Sequence, residues 1–437
     1  MATASKVFLT SVEGSEYIRP GMQERSASIT VELLQKNHDE HHIFFNKDGF
    51  HNHIAHHLLT LLALRADGEQ LQRAYDINEG YQRPRKSLLR PVTEDMYDVK
   101  TYNSHLGDEK YYHEFLCFFQ AEVALSSWQD VLNKYLFAGD QRADDLLARL
   151  FGGFLHPIIH LGFGVEFQQP AIIAEGLAQA AVHGNYMRKL FVPAEKAAER
   201  RAGEQSSTIV DLLDSIHENK ELCEAPQWSD GNKLREGLLG RAADQMVECA
   251  SRFHVNPDEL QRKTAEMANA VAYYTAGAQR TDKIIKFDFY FMHGVNCSIF
   301  FSAFLKQDWL TEGDKVRLLE WKVRSDLAMY ASRKSPDVRL DIIRAYTPKQ
   351  PSGWDGIEDR VCQFEDDGHA SKLVRALAHG QRICEPYNER EEFRIKSDDW
   401  LQMGHMAIDS VEDPSQHWVR SAGFDEAWQG IPARSQL

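Results

Sequence analysis

Apolar residues recur at helical spacing along most of this chain, and that periodicity limits the fold more than any other feature of the sequence. One stretch of 28 residues, 110–137, keeps the pattern throughout, and similar stretches follow at 144–167, 170–187, 256–278 and 314–333. Few segments alternate with the period of two that strands require. The chain shows neither alternating strand and helix patterns nor a fixed repeat. The sequence therefore predicts an all-α, mainly α-helical fold with few or no strands.

Two segments leave the choice between strand and helix open. Residues 7–12 and the start of 287–305 are rich in aromatic and β-branched residues, but 287–305 fits a buried helix equally well. Residues 195–235 are polar and rich in charge, which indicates a partly helical, partly mobile excursion. No linker divides the chain, so we expect a single large domain over 1–437 that includes this excursion.

Charge and cysteine content exclude several classes of protein. The 437 residues carry a formal net charge of −15, which disfavours a general binder of nucleic acid or anionic membranes. The sequence contains no apolar run of 18 residues and no apolar signal segment at its start. Its six cysteines include no CxxC pair, which is typical of reduced thiols. We therefore expect a cytoplasmic protein without a membrane or nucleic-acid partner.

Histidine is the unusual residue of this sequence. There are 19 histidines, and seven of them fall between positions 38 and 57. His53 and His57 are four residues apart, so they share one face of the helix predicted for the run HIAHHLLTLLAL. His156 and His160 repeat this spacing in a second apolar segment. His51, just before the first of these runs, and His56 within it point away from the apolar side of the helix, so we expect both to be exposed.

Two further motifs place potential ligands beside apolar sequence. His293 lies inside FYFMHGVNCS, and His369 precedes Lys372 by three residues after an Asp-Gly turn. A single buried histidine is more often a hydrogen-bonded core residue than a ligand, but two pairs and two further histidines together favour a metal site. Imidazole suits Zn, Cu, Fe or Ni, so the residues alone leave the metal open. The candidate histidines are His53, His57, His156, His160, His293 and His369.

Several familiar catalytic motifs are missing from the sequence. HExxH, which marks one class of zinc protease, does not occur, and no histidine has a glutamate three residues before it as in ferritin-like di-iron bundles. GxGxxG, the P-loop and the GxSxG elbow are also absent, which argues against a Rossmann nucleotide site, a P-loop enzyme and an α/β-hydrolase.

Four motifs together resemble the questin oxidase-like family over roughly residues 45–385. They are HNHIAHHLLTLLAL, LHPIIHLGFGVEF, FDFYFMHG and DGHASKLVRAL. The resemblance implies a fungal enzyme of polyketide secondary metabolism that opens the central ring of a questin-like anthraquinone and gives a benzophenone-type product. It also implies Fe(II) held by four histidines and a lysine carboxylated by CO₂, with O₂ as cosubstrate. Lys372 matches that lysine, since it stands beside a candidate ligand at one-turn spacing.

Several alternatives stay open from the sequence. The protein could instead carry out a Baeyer–Villiger-type oxidation with a reductant such as NADPH, or be a non-catalytic helical binding protein whose histidines are structural. The substrate implied by the resemblance is a small aromatic polyketide whose phenolic proton must be removed. A site histidine or Asp367 could act as the base, and His379 is a weaker candidate. The oligomeric state stays open.

Overall fold

Helices dominate the protein, as its periodicity predicts. The structure is a computed structural model that describes residues 1–88, 95–201 and 203–434. Within these ranges, the only strands are β1, Phe287–Asp288, and β2, Trp418–Val419, which pair in parallel. The mainly α-helical fold class is therefore confirmed.

The chain divides into two compact units. Unit 1 comprises residues 1–186, 306–310 and 362–372, and unit 2 comprises the remaining residues. The single domain over 1–437 stays a prediction. Of the predicted excursion at 195–235, Ala202 lies outside the described residues.

The described residues of unit 1 form nine complete α-helices. Their bounds are α1 Glu24–Glu40, α2 Ile54–Ala63, α3 Gly68–Glu79, α4 Val99–His105, α5 Tyr112–Leu125, α6 Trp128–Leu136, α7 Gln141–Leu150, α8 His156–Glu166 and α9 Pro170–Ala181. Short 3₁₀ helices at Asp95–Tyr97, Glu109–Tyr111 and Gly153–Leu155 connect some of them.

The other helices lie wholly or mainly in unit 2. Their bounds are α10 Arg188–Arg200, α11 Ile209–Glu218, α12 Lys220–Glu224, α13 Leu239–Arg241, α14 Ala243–Ala250, α15 Leu260–Gly277, α16 Phe289–Leu305, α17 Glu312–Ser332, α18 Leu340–Arg344, α19 Trp354–Gln363, α20 His369–Cys384 and α21 Ser397–Glu412. A π-helix spans Lys233–Leu238, and 3₁₀ helices span Pro257–Glu259, Glu385–Tyr387 and Asp425–Trp428. The first four residues of α20 belong to unit 1.

The structure settles the ambiguous segments. The 28-residue pattern at 110–137 forms α5 and α6 as separate helices, because the Ser127 side chain accepts a hydrogen bond from the Asp130 backbone and caps α6. Residues 289–305 are the buried helix α16, and residues 7–12 contain no strand. Pro157 stands in the first turn of α8, where its missing N–H costs nothing.

Two glycines set the close packing of α8 against α9. A Cβ at Gly164 would lie 2.8 Å from the Ile173 backbone nitrogen, and a Cβ at Gly176 would lie 2.9 Å from the Leu161 backbone nitrogen. Real Cβ atoms do not approach backbone this closely, so glycine allows the two helices to touch along their backbones. This contact fixes the helix that carries His156 and His160 against its neighbour.

No single helix within the described ranges is long and apolar enough to cross a membrane. One pair, Gln141–Leu150 with Gly153–Glu166, passes that test jointly by length and composition, but it is bent by 64°.

We predict that Gly176→Ala destabilises the protein. The added methyl group must push α8 and α9 apart, which lowers the free energy of unfolding by about 1–3 kcal/mol. Gly313→Ala is the control, because the nearest atom to its Cβ is Thr311 Oγ1 at 3.8 Å. We expect this control to keep or raise stability by up to about 1 kcal/mol. Denaturant unfolding of both variants measures the difference, and equal stabilities would contradict the packing argument.

Candidate metal centre

Helix α2 is buried on every side, which corrects one expectation from the sequence. All ten of its residues are buried, because it packs against α1, α3 and α8. His56 is fully buried and His51, just before the helix, is 5% exposed, so the prediction that both are exposed is wrong. The amphipathic pattern of this run predicts one side that faces solvent, but a helix that is packed on all faces has no such side.

The centre of the histidine cluster is the contact between His53 and His156. Their Nε2 atoms lie 2.8 Å apart. On the opposite side of each ring, Nδ1 has a fixed partner: His53 Nδ1 lies 2.9 Å from Asp367 Oδ2, and His156 Nδ1 lies 2.6 Å from the Gly153 carbonyl oxygen. Carboxylate and carbonyl oxygens only accept hydrogen bonds, so each Nδ1 carries the proton.

This arrangement leaves two lone pairs facing one another. With the protons on Nδ1, both neutral rings present a bare Nε2 atom across the 2.8 Å contact. A bound cation or an extra proton would relieve the repulsion. Burial and the nearby Lys372 lower the pKa of His53 to about 3, which disfavours the proton on that ring. The residues present therefore fit a metal ion, and the imidazole Nδ1 atoms have the hydrogen-bonded partners that metal-ligating histidines typically have.

His369 completes a group of three imidazoles. One ring nitrogen from each of His53, His156 and His369 lies within 4.8 Å of the others, and all three residues are buried. His369 Nδ1 lies 2.5 Å from Asp367 Oδ1, so the same carboxylate orients two of the rings. Although burial favours the protonated acid, the His369 and His53 rings hold the pKa of Asp367 well below its ordinary value. Asp367 therefore acts as a fixed carboxylate between two imidazoles.

The turn before α20 brings His369 to this place. Gly368 has φ of +87°, and a Cβ there would lie 2.7 Å from His57 Cβ. Both observations require glycine. The Asp366 carboxylate accepts hydrogen bonds from the Gly368 and Ala370 backbone nitrogens at 2.7 and 2.9 Å, which caps the first turn. The motif DDGH thus packs the start of α20 closely against α2.

Lys372 lies one turn after His369 on α20 and is only 5% exposed. Burial lowers the pKa of its amine to about 8, although Asp367 and Asp366 oppose the shift. A substantial share of this amine is therefore neutral near pH 8. Lys372 is therefore not a solvated surface lysine.

A second histidine pair lies beside the first. His51 stacks on His156, with ring centroids 3.8 Å apart and planes 9° apart. Its Nε2 atom lies 2.8 Å from His183 Nε2, and His183 Nδ1 lies 2.6 Å from the Gln179 carbonyl oxygen. Burial lowers the pKa of His183 to about 4, so this ring is neutral at physiological pH.

A third pair connects α2 with α8 one helical turn further on. His56 Nε2 lies 2.9 Å from His160 Nδ1, and His160 Nε2 lies 2.8 Å from Glu175 Oε2. The other carboxylate oxygen, Glu175 Oε1, lies 2.7 Å from His38 Nδ1. Despite burial, the His38 charge and the hydrogen bonds from the two rings lower the pKa of Glu175 to about 2. A buried carboxylate therefore anchors this pair.

The remaining predicted ligands stay predictions. His57 is buried beside Gly368, while both ring nitrogens of His160 already contact His56 and Glu175. His293 and His379 belong to unit 2, where His293 Nδ1 lies 2.6 Å from the Phe289 carbonyl oxygen and His379 is fully buried.

Sequence reasoning missed the residues that pair with or support the candidate ligands. They are His38, His51, His56, Glu175 and His183. Glu175 left one signal, because it is the only charged residue in the apolar helix α9, and a buried charge needs a partner. His183 left none, since it follows α9 without a recognisable motif.

Comparisons with known proteins agree with the resemblance of the motifs. The questin oxidase-like family matches residues 50–377. A protein named Baeyer-Villiger oxidase from Pestalotiopsis microspora is 40% identical over 99% of this chain and 100% of its own length. Another of that name from Emericella nidulans is 42% identical over 94% of both chains. A protein named questin oxidase from Aspergillus terreus is 35% identical over 99% of this chain and 98% of its own.

We predict that Asp367→Asn weakens binding of a divalent metal. The amide can accept a hydrogen bond from one of the two rings, but its NH₂ group opposes the N–H of the other. Loss of such an orienting partner typically lowers metal affinity about 10- to 100-fold. Anaerobic titration with Fe(II) measures the change. Asp76→Asn, an exposed carboxylate that accepts a hydrogen bond from Gln72, is the control. Equal affinities in both variants would refute the orienting role.

Proposed function

The chain belongs to the questin oxidase-like family, and we propose that it is a non-heme iron-dependent oxygenase that opens the central ring of an anthraquinone. The observation that supports this most is the pair of facing Nε2 lone pairs on His53 and His156, beside a third buried imidazole from His369. A structural core pair of histidines would place one proton between the rings. Here both protons are drawn to the outer acceptors.

Three imidazoles and Lys372 would hold the metal. His53, His156 and His369 supply neutral nitrogen ligands, which suit Fe(II) as well as Zn(II). His57 and His293 stay predicted candidates for the fourth histidine implied by the resemblance, whereas both ring nitrogens of His160 already have partners. When bound, iron would activate O₂ at a coordination position that the protein leaves open. Asp367 holds two of the rings in orientation, and both its oxygens are engaged, so we do not assign it the role of base.

Lys372 would enter the site as a carbamate. The neutral amine reacts with CO₂ to give an N–COO⁻ group and one proton, which converts a cation into an oxygen ligand. Burial supports the neutral amine that this reaction requires. Three neutral imidazoles provide no negative charge, so the carbamate would balance part of the charge of a divalent ion.

The proposed substrate is a flat, phenolic, tricyclic polyketide. Phe163 and Phe167 lie near the cluster in unit 1, with Phe163 stacked on His56 at a centroid distance of 5.2 Å. Aromatic faces of this kind suit a planar ligand. The ring system must be electron-rich for oxygen to attack it, which a hydroquinone or a phenolate provides.

The two candidate reactions of this substrate class consume different co-reactants. A hydroquinone plus O₂ contains every atom of a benzophenone carboxylic acid, provided that a separate reductant first supplies two electrons and two protons to the quinone. A Baeyer–Villiger oxidation instead combines the quinone with O₂, NADPH and a proton and gives a lactone, water and NADP⁺. One water must then be added to open the lactone. The names of the relatives from Pestalotiopsis microspora and Emericella nidulans favour this second candidate.

Labelled oxygen separates the two reactions. Iron-loaded protein should convert a pre-reduced hydroxyanthraquinone under ¹⁸O₂ into a ring-opened acid with two labelled oxygens, without NADPH. One labelled oxygen and a strict need for NADPH would favour the Baeyer–Villiger reaction. Mass spectrometry of the product gives the count. Ring opening at the same rate in protein freed of iron would refute iron dependence.

We predict that Lys372→Ala loses the dependence of metal binding on CO₂. In the wild-type protein, removal of CO₂ should weaken Fe(II) binding, and added bicarbonate should restore it, because the carbamate re-forms. A ¹³C nuclear magnetic resonance signal from labelled bicarbonate should appear in wild-type protein only. Lys349→Ala serves as the control, because Lys349 lies in unit 2, where its Nζ donates a hydrogen bond to the Asp409 carbonyl oxygen at 3.0 Å. Full activity in Lys372→Ala without an added carboxylate would refute the carbamate.

A further inference from the structure

His56 is a buried imidazole with one nitrogen left over. Its ring is fully buried, its face stacks on Phe163, and its Nε2 atom contacts His160. Within the described part of the chain, His56 Nδ1 has no hydrogen-bond partner. A buried nitrogen without a partner costs free energy, so such a group calls for a ligand or another explanation.

The neighbouring groups decide what this nitrogen offers. Glu175 is a carboxylate and accepts a hydrogen bond from His160 Nε2, so a neutral His160 ring has its lone pair on Nδ1. His56 Nε2 must then be the donor in the contact with His160. A neutral ring with its proton on Nε2 keeps its lone pair on Nδ1. His56 Nδ1 is therefore a hydrogen-bond acceptor, and its partner must be a donor.

The position of this acceptor relates it to the candidate metal centre. His56 follows His53 by three residues at the start of α2, and the two ring centroids are 5.8 Å apart. His38 and Gln120 support the far side of the Glu175 carboxylate, where Gln120 Nε2 lies 3.0 Å from His38 Nε2. The whole chain of contacts, from Gln120 to His56, belongs to unit 1.

We propose that His56 Nδ1 accepts a hydrogen bond from a hydroxyl group of the bound substrate, and that Glu175 is a positioning residue that fixes this acceptor through His160. The ligand class is a planar aromatic compound with a phenolic hydroxyl, since Phe163 borders the same ring. The proposal rests on the proposed function for the identity of the substrate. It assigns His56 to substrate recognition, separate from the metal ligands.

Two probes that differ only in hydroxyl groups test the role of His56. They are 2,6-dihydroxyanthraquinone, whose hydroxyls are too far from the ring carbonyls to bond internally, and 9,10-anthraquinone. Binding is measured without oxygen, on protein with its metal, so that no turnover occurs. His56→Gln keeps a polar group near the position of Nε2 and removes Nδ1. We expect about five-fold weaker binding of the hydroxylated probe, as for the loss of one hydrogen bond. Binding of 9,10-anthraquinone should stay within two-fold of wild type.

A second series tests the positioning role of Glu175. Glu175→Leu removes the acceptor of the His160 proton and should produce the same selective loss for the hydroxylated probe. Glu175→Gln should recover most of it, because its amide oxygen can still accept that proton. His217→Gln is the control, since His217 hydrogen bonds to the Ser335 carbonyl in unit 2. Neither probe should distinguish this control from wild type.

The outcomes separate this inference from the proposed function. Equal losses for both probes in His56→Gln, no loss, or no binding of the hydroxylated probe to wild type would overturn the role of His56. A loss of bound iron in His56→Gln would overturn it as well, because His56 would then be a ligand. If His56→Gln keeps ring opening and the wild-type preference between the two probes, only the role of His56 is refuted. If His56→Gln selectively loses binding of the hydroxylated probe but the wild-type protein never opens the ring, only the oxygenase proposal is refuted.

Discussion

The contact between the two Nε2 atoms of His53 and His156 constrains the whole cluster. At 2.8 Å, this distance is normal for a hydrogen bond. However, the Asp367 carboxylate and the Gly153 carbonyl each accept a hydrogen bond from the Nδ1 atom of one ring, so the protons lie on the outer nitrogens. The other pair that joins α2 to α8 differs. In the His56–His160 pair, only one outer nitrogen has an acceptor, so a proton can occupy the contact. Only the first of these two contacts therefore calls for a bound cation or an extra proton.

Backbone packing allows this contact to form. Gly164 and Gly176 bring α8 and α9 to van der Waals distance, which sets the position of the His156 and His160 side chains and of Glu175 together. Gly368 does the same on the other side, where the turn into α20 touches the His57 side chain. A side chain at any of these positions would force its neighbours to shift, because its Cβ would lie closer than 3.0 Å to one of their atoms. These glycines therefore determine how closely the imidazoles and their charged partners approach one another.

The sequence predicted the helices better than it predicted the partners within the site. Helical periodicity located α2, α8, α9 and α20, and apolar flanks correctly indicated that His57, His156 and His160 are buried. The i, i+4 spacing suggested that His53 works with His57. The structure instead pairs residues across helices, one turn apart on both α2 and α8. Spacing along one helix defines a face, but the neighbour opposite that face depends on tertiary packing.

The prediction that His56 is exposed is wrong for a physical reason. A helical-wheel argument assigns polar residues outside the apolar stripe to solvent, which holds for a helix at the surface of a protein. Helix α2 is surrounded by other helices, so its polar side chains have no access to solvent and can find partners only inside the protein or on a ligand. His53 and His56 reach α8, and the protons on these rings follow from Asp367 and Glu175. The two carboxylates therefore give neighbouring imidazoles different roles. Beside Asp367, the Nε2 lone pairs of His53 and His156 can bind a cation. Beyond Glu175, the Nδ1 lone pair of His56 can accept a hydrogen bond.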